Sequence, residues 1–139
     1  MRQSLGEIGI LAGSAGLHEI TADIARWVSA QNIREGLLTI FCRHTSASLL
    51  IQENAAPEVR RDIQRFFDGL APEDPDRYEH DDEGPDDMPA HLRTALTQVQ
   101  LSIPVMAARP ALGTWQGIYL FEHRRRPTRR SLALHLIGE

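Results

Sequence analysis

The 139 residues are the size of one ordinary domain, 42% of them apolar, with a net charge of −4. That balance argues against general nucleic-acid binding, and the only basic cluster is Arg124, Arg125, Arg126, Arg129 and Arg130. All 15 basic residues are arginine and Cys42 is the single cysteine, which removes Schiff-base chemistry, the lysine of a phosphate-binding P-loop, an internal disulfide and a zinc ribbon.

In chain order, residues 1–13 are predicted to form a first strand. The patch "IGILAG" is too short and too interrupted for a secretory signal, and no apolar run approaches a membrane span. The expected location is the cytoplasm, with no membrane partner. Leu17, Ile20, Ile24, Trp27 and Val28 recur at the spacing of an amphipathic helix. "LLTIFC" (37–42) reads as a strand buried on both faces, and "LLIQE" (49–53) continues or pairs with it. Pro57 suits a first helical turn, and Val59, Ile63, Phe66, Phe67 and Leu70 form a second stripe. Residues 71–87 carry acids and prolines without periodicity and are predicted to be a loop. Asp87 is placed as the cap of a third helix, with Met88, Leu92, Ala95, Leu96 and Val99 as its stripe. "LSIPV", "GTWQGIYLFEH" and "SLALHLIG" read as strands, with "RRRPTRR" as a turn region. Helices and strands do not alternate regularly, so one α+β domain over residues 1–139 is expected.

Three of the six histidines stand out. His44 follows a buried strand, His91 lies in the first turn of a helix, and His80 sits in the acidic stretch "YEHDDEGPDDMPAH". Three neutral imidazoles can hold a zinc ion and leave one position open, with Glu79, Asp81, Asp86 and Asp87 orienting the rings. The competing reading is a solvated acidic loop. "HTSAS" offers Thr45, Ser46 and Ser48 as hydrogen-bond donors to a phosphate, without the surroundings of a serine nucleophile. Trp115 is able to stack on a flat ring or simply to pack. Glu122 and the arginines beyond it, Arg124 first, make an acid and a phosphate clamp, or a solvated hairpin. Cys42 reads as a small buried hydrophobe.

The segments "RHTSASLLIQENAAPEV", "EGPDDMPAHLRTAL" and "ALGTWQGIYLFEHR" together resemble the YjbQ family, also called the secondary thiamine-phosphate synthase family. The resemblance runs from the first helix to the last strand. It implies an α+β domain with a β-sandwich-like core of mixed strands and about three helices, assembled as a homotrimer. It implies a site of His44, Asp86, Asp87 and His91, with His80 nearby and Trp115, Gln116 and Glu122 lining it. The catalytic set is then His44, Asp86, Asp87 and Glu122; substrate contacts are Thr45, Ser46, Trp115, Gln116 and Arg124. A divalent metal on His44, His80 and His91 follows from the same analogy. The implied activity is a weak thiamine-phosphate synthesis, which joins a pyrimidine-methyl pyrophosphate to a thiazole phosphate and releases pyrophosphate. "HTSAS", the acidic loop and "HRRRPTRR" depart from the pattern of many members.

Histidine ligands suit zinc or another transition metal better than magnesium, although magnesium also serves phosphate chemistry. Two alternatives therefore stand beside the synthase: a metal-dependent hydrolase of a phosphorylated or heterocyclic small molecule, and a non-catalytic trimeric metal- or ligand-binding protein.

Overall fold

A computed structural model describes all residues from Met1 to Glu139. Two antiparallel sheets carry the chain. The larger is ordered β1 (Arg2–Ala12), β8 (Thr128–Gly138), β3 (Gly36–Cys42), β5 (Gln100–Met106) and β6 (Arg109–Pro110). The smaller has β7 (Gln116–Glu122) between β2 (Gly16–Glu19) and β4 (Ala47–Glu53). Helices α1 (Thr21–Ala30), α2 (Pro57–Leu70) and α3 (Asp87–Leu96) complete an α+β domain. No helix is long and apolar enough to cross a membrane.

The inner face of the large sheet presents Leu38, Ile40, Leu101, Ile103, Leu132, Leu134 and Leu136 to a core shared with Ile24 and Val28 of α1 and Leu49, Ile118 and Leu120 of the small sheet. At about 25 cal/mol per Å² of apolar area, these side chains supply the main drive for folding. The outer face is different. Pairing in register sets Leu37, Phe41 and Ile137 on one side with Leu5, and all four are exposed. β3 is therefore buried on one face only, where its continuous apolar run suggested two.

Other elements depart from the sequence reading for identifiable reasons. Leu17 and His18 belong to β2, because Gly16–Glu19 finds a ready partner in Phe121, Leu120 and Tyr119 of β7. Helix α1 thus starts at Thr21, whose hydroxyl accepts the Ile118 N–H at 2.9 Å. Strand β7 is buried along Gly117–Glu122 on both faces, because Ile118 and Leu120 enter the core while α2 covers Tyr119 and Phe121 through Arg60 and Phe67. Arg129 and Arg130 already lie in β8.

The large sheet closes tightly at one end. A Cβ added to Gly36 would fall on the Ile137 carbonyl of the neighbouring strand, so backbone would have to move. Gly36→Ala is expected to destabilise the protein by about 1–3 kcal/mol, as overpacking does, which a thermal melt checks; an unchanged midpoint would show that this end yields freely.

Candidate functional site

The site begins at the start of α3. Asp86 is the N-cap residue and Asp87 the first helical one, a shift of one from the expected cap. Neither caps with its side chain, because both carboxylates turn toward Arg124. The buried side of α3 is polar: Asp87, Arg93 and Thr94 are buried with Ala90, whereas Leu96 of the expected apolar stripe is exposed.

Asp87 and His91 stand four residues apart and so share a helix face. The His91 ring has Nδ1 at 2.9 Å from the Thr45 carbonyl and Nε2 at 3.1 Å from Asp87 Oδ2. A carbonyl only accepts, so Nδ1 carries the proton and the Nε2 lone pair faces a carboxylate oxygen. The acidic loop, turned at Gly84 (φ +100°), brings His80 Nε2 to the same Oδ2 at 2.7 Å and to Glu83 Oε2 at 3.0 Å. One donor atom from each of His80, Glu83, Asp87 and His91 lies within 4.8 Å of the others. Ring nitrogens this close to a carboxylate oxygen are bridged either by a proton on the ring or by a metal ion. The donor set of two imidazoles and two carboxylates fits a divalent transition metal.

Arg124 braces this cluster. Its guanidinium donates to Asp87 Oδ1 at 2.5 Å, Asp86 Oδ2 at 3.2 Å and the Glu83 carbonyl at 2.8 Å. The Arg125 N–H adds 3.0 Å to Asp86 Oδ2. Burial pushes both carboxyls upward. For Asp86 the Arg125 N–H and Arg124 outweigh it; for Asp87 His80, His91 and Arg124 do, and both end below the ordinary carboxylate range. The hydrogen bond to Asp87 holds His80 above the ordinary histidine range.

His44 does not join the cluster. Its Nε2 accepts the Ser131 N–H at 2.7 Å, and burial followed by the charge of Arg130 keeps the ring neutral to lower pH than usual. Of the expected three-histidine set, the fold brings together His80 and His91, with Asp87 and Glu83 beside them, and leaves His44 apart. His44 and Thr45 instead line a cavity of about 700 Å³ together with Phe41, His91, Thr94 and Thr97. His91 is the residue common to cavity and cluster. The buried Thr94 hydroxyl has no partner.

Glu122 and Ser46 lie beneath this wall. Glu122 is wholly buried and grips Arg130 by two bonds, Nε at 2.7 Å and Nη2 at 2.5 Å, while it accepts the N–H groups of His123 and Arg124. Arg130 Nη2 also holds the Ser46 carbonyl and hydroxyl at 3.1 and 3.0 Å. In this arrangement Glu122 and Arg130 position the His44–Ser46 turn. Gln116 lies six residues from Glu122 along β7, about 20 Å away at a strand rise of ~3.3 Å per residue, and Trp115 immediately precedes the strand. Trp115 is exposed and Gln116 Oε1 accepts the Gly113 N–H, so one chain does not bring them to the cluster.

His123 is buried. Its Nε2 is 2.9 Å from Ser48 Oγ, which receives the Thr97 hydroxyl at 2.6 Å. Burial, then Arg93 and Arg130, pushes its pKa down to about 3.

Glu83 and Thr94 escaped the sequence reading, and Arg130 was read only as part of the basic cluster. Glu83 had a signal, since positions 80, 83, 87 and 91 follow a three- and four-residue rhythm; Thr94 had none, and nothing local pairs Arg130 with Glu122.

An antiparallel two-sheet α+β domain with a polar, buried helix start beside a cavity defines a small single-domain protein with a concentrated His/carboxylate site. The family profile described as "UPF0047 protein YjbQ-like" matches residues 7–139. The UPF0047 protein of Synechocystis sp. is 48% identical over 138 residues, covering 99% of this chain and 94% of its own. Escherichia coli YjbQ is 43% identical over 129 residues, 92% and 93% of the two chains. A Clostridium acetobutylicum YjbQ/UPF0047 structure superposes with a TM-score of 0.85 at 30% identity, covering 94% and 98%. The chain belongs to the YjbQ/UPF0047 family.

Proposed function

We propose that this protein is a divalent-metal-dependent enzyme acting on a small phosphorylated heterocycle, with weak thiamine-phosphate synthesis as the reaction implied by its family resemblance. One observation carries the reading: ring nitrogens of His80 and His91 converge on one carboxylate oxygen of Asp87, beside a cavity that His91 also lines. A cavity of that size accommodates a small organic substrate. When bound, the metal supplies positive charge to phosphate oxygens. Arg124 holds Asp87 in place, Thr45 fixes the His91 tautomer, and the free Thr94 hydroxyl offers a hydrogen bond to a guest. Arg124 is engaged by Asp86 and Asp87, so in this reading it braces the carboxylates rather than clamping a phosphate.

The donor set favours a second reading, a metal-dependent hydrolase of the same substrate class, because two imidazoles suit zinc, manganese or iron better than magnesium. Assembly as a homotrimer is part of the proposal. Its support is the exposed apolar face of Leu5, Leu37, Phe41 and Ile137, together with Phe41 belonging to both this face and the cavity.

The test is metal content by elemental mass spectrometry alongside turnover. Wild type is expected to carry about one metal per chain, and His91→Ala to lose it with all activity. His44→Ala is expected to keep the metal, since its Nε2 is committed to Ser131. Metal absent from wild type even after soaking would end the metal-enzyme reading. Metal without turnover of any phosphorylated heterocycle would favour the non-catalytic binding protein.

A further inference from the structure

A second cavity, of about 380 Å³, lies between α2, α3 and the segment that follows β7. Four buried side-chain polar atoms in the protein lack a hydrogen-bond partner, and three of them belong to residues lining this space: Gln64 Oε1, Arg93 Nε and His123 Nδ1. Buried polar groups are nearly always paired, so three orphan atoms on residues around one cavity, each closed to solvent as the protein stands, point to a guest that draws them out. His123 and Arg93 are 2% and 6% exposed.

The chemistry of the lining selects the guest. Gln64 Nε2 donates to Asp68 at 3.0 Å, which leaves its Oε1 as a fixed acceptor. Arg93 Nε–H is a donor, and its Nη2 is already spent on the Ala71 carbonyl and Asp68. The charges on the wall cancel in pairs, Arg93 with Asp68 and Arg125 with Glu73. A carboxylate would satisfy Arg93 but face Gln64 Oε1, Asp68 and Glu73. A cation would satisfy Gln64 but face Arg93 and Arg125. A neutral group bearing an acceptor beside a donor meets both orphans. At about 30 Å³ per water, the space is many times larger than one water needs.

We propose that this cavity binds a small neutral molecule through a carboxamide- or urea-type edge, whose C=O receives Arg93 Nε–H and whose N–H donates to Gln64 Oε1. The guest also meets His123 Nδ1. Beyond that ring the bonds continue through Ser48 to Thr97, which lines the larger cavity near His44 and His91. Thr97 has one hydroxyl proton and two acceptors in reach, Ser48 Oγ and the Arg93 carbonyl. A guest that fixes the His123 tautomer therefore fixes the direction of the chain and what Thr97 shows to the larger cavity. The proposal stands independently of the metal site.

The test uses three planar isosteres, acetamide, acetate and acetamidinium, titrated at neutral pH into ¹⁵N-labelled protein while the His123 ring nitrogens and the Thr97 amide are followed by NMR. Acetamide is expected to give saturable shifts at both positions, at about millimolar concentration for so small a probe. Acetate and acetamidinium are expected to bind at least tenfold more weakly. Gln64→Leu should weaken acetamide at least tenfold with the rest of the spectrum preserved. If that variant fails to fold, Gln64→Glu keeps the shape and should reverse the preference toward acetamidinium. Non-saturating shifts, equal binding of all three probes, or a Gln64 variant with unchanged preference would overturn the site; shifts at His123 that never reach Thr97 would overturn the link between the cavities.

Discussion

Arg130→Met is expected to lower stability by about 3–5 kcal/mol, the usual result of leaving one member of a buried ion pair alone. Glu122 has no exposed surface, and Arg130 is 4% exposed. Removing the guanidinium leaves a carboxylate that still accepts the His123 and Arg124 N–H groups but has lost its counter-charge. It also releases the Ser46 carbonyl and hydroxyl, and with them the turn that carries His44 and Thr45. For a chain of this size the loss corresponds to a fall of roughly 10 °C or more in Tm. Replacing both partners separates charge from packing. Glu122→Gln with Arg130→Met keeps an acceptor for the two N–H groups and removes the unpaired charge, so the double variant should melt above Arg130→Met alone. A single variant that melts within 2 °C of wild type would mean that the pair contributes nothing net and that the turn is held elsewhere.

The same pair shows what the sequence makes legible and what it conceals. Helix α2 was readable because Pro57 and the spacing of Val59, Ile63 and Phe67 are local signals. The pairing of Asp87 with His91 was readable for the same reason, four residues on one helix. β2 was not, because its four residues take strand form only through their ladder with β7. The buried side of α3 was misread as Met88, Leu92 and Leu96, since hydropathy cannot anticipate that Arg124 allows Asp87 to be buried or that Arg93 reaches the Ala71 carbonyl. His44 illustrates the limit most sharply. Its position after a buried strand suggested a ligand, and its partner proved to be a backbone N–H 87 residues away. Family resemblance carried the fold and named His44, Thr45 and His91 of the cavity wall; their roles depend on distances that no motif encodes.

Acid stability provides the second large effect, and His123 governs it. Its folded pKa of about 3 lies below the unfolded value of 6.5, so the unfolded chain binds the extra proton between those values. Stability therefore falls as pH drops below 6.5, by up to about 1.4 kcal/mol per unit, or roughly 3 kcal/mol by pH 4. Other groups either act elsewhere or add little. Asp86 and Asp87, with pKa values depressed from 3.8, contribute stability that is lost only below that pH. His80, raised above 6.5, has its contribution fully present below 6.5 and changes only as pH rises through its folded value. His44 has the same sign as His123, and burial is the first cause of both shifts, but His123 is the more deeply buried. His123→Gln places an amide nitrogen near the position of Nε2 and can keep a bond to Ser48. Urea unfolding from pH 7 to pH 4, with EDTA present so that no metal titrates alongside the rings, should show the wild-type slope reduced by more than half in this variant. An equal slope in both proteins would remove His123 as the origin and shift attention to His44, whose loss of the Ser131 bond on protonation would then be the event that opens the site wall.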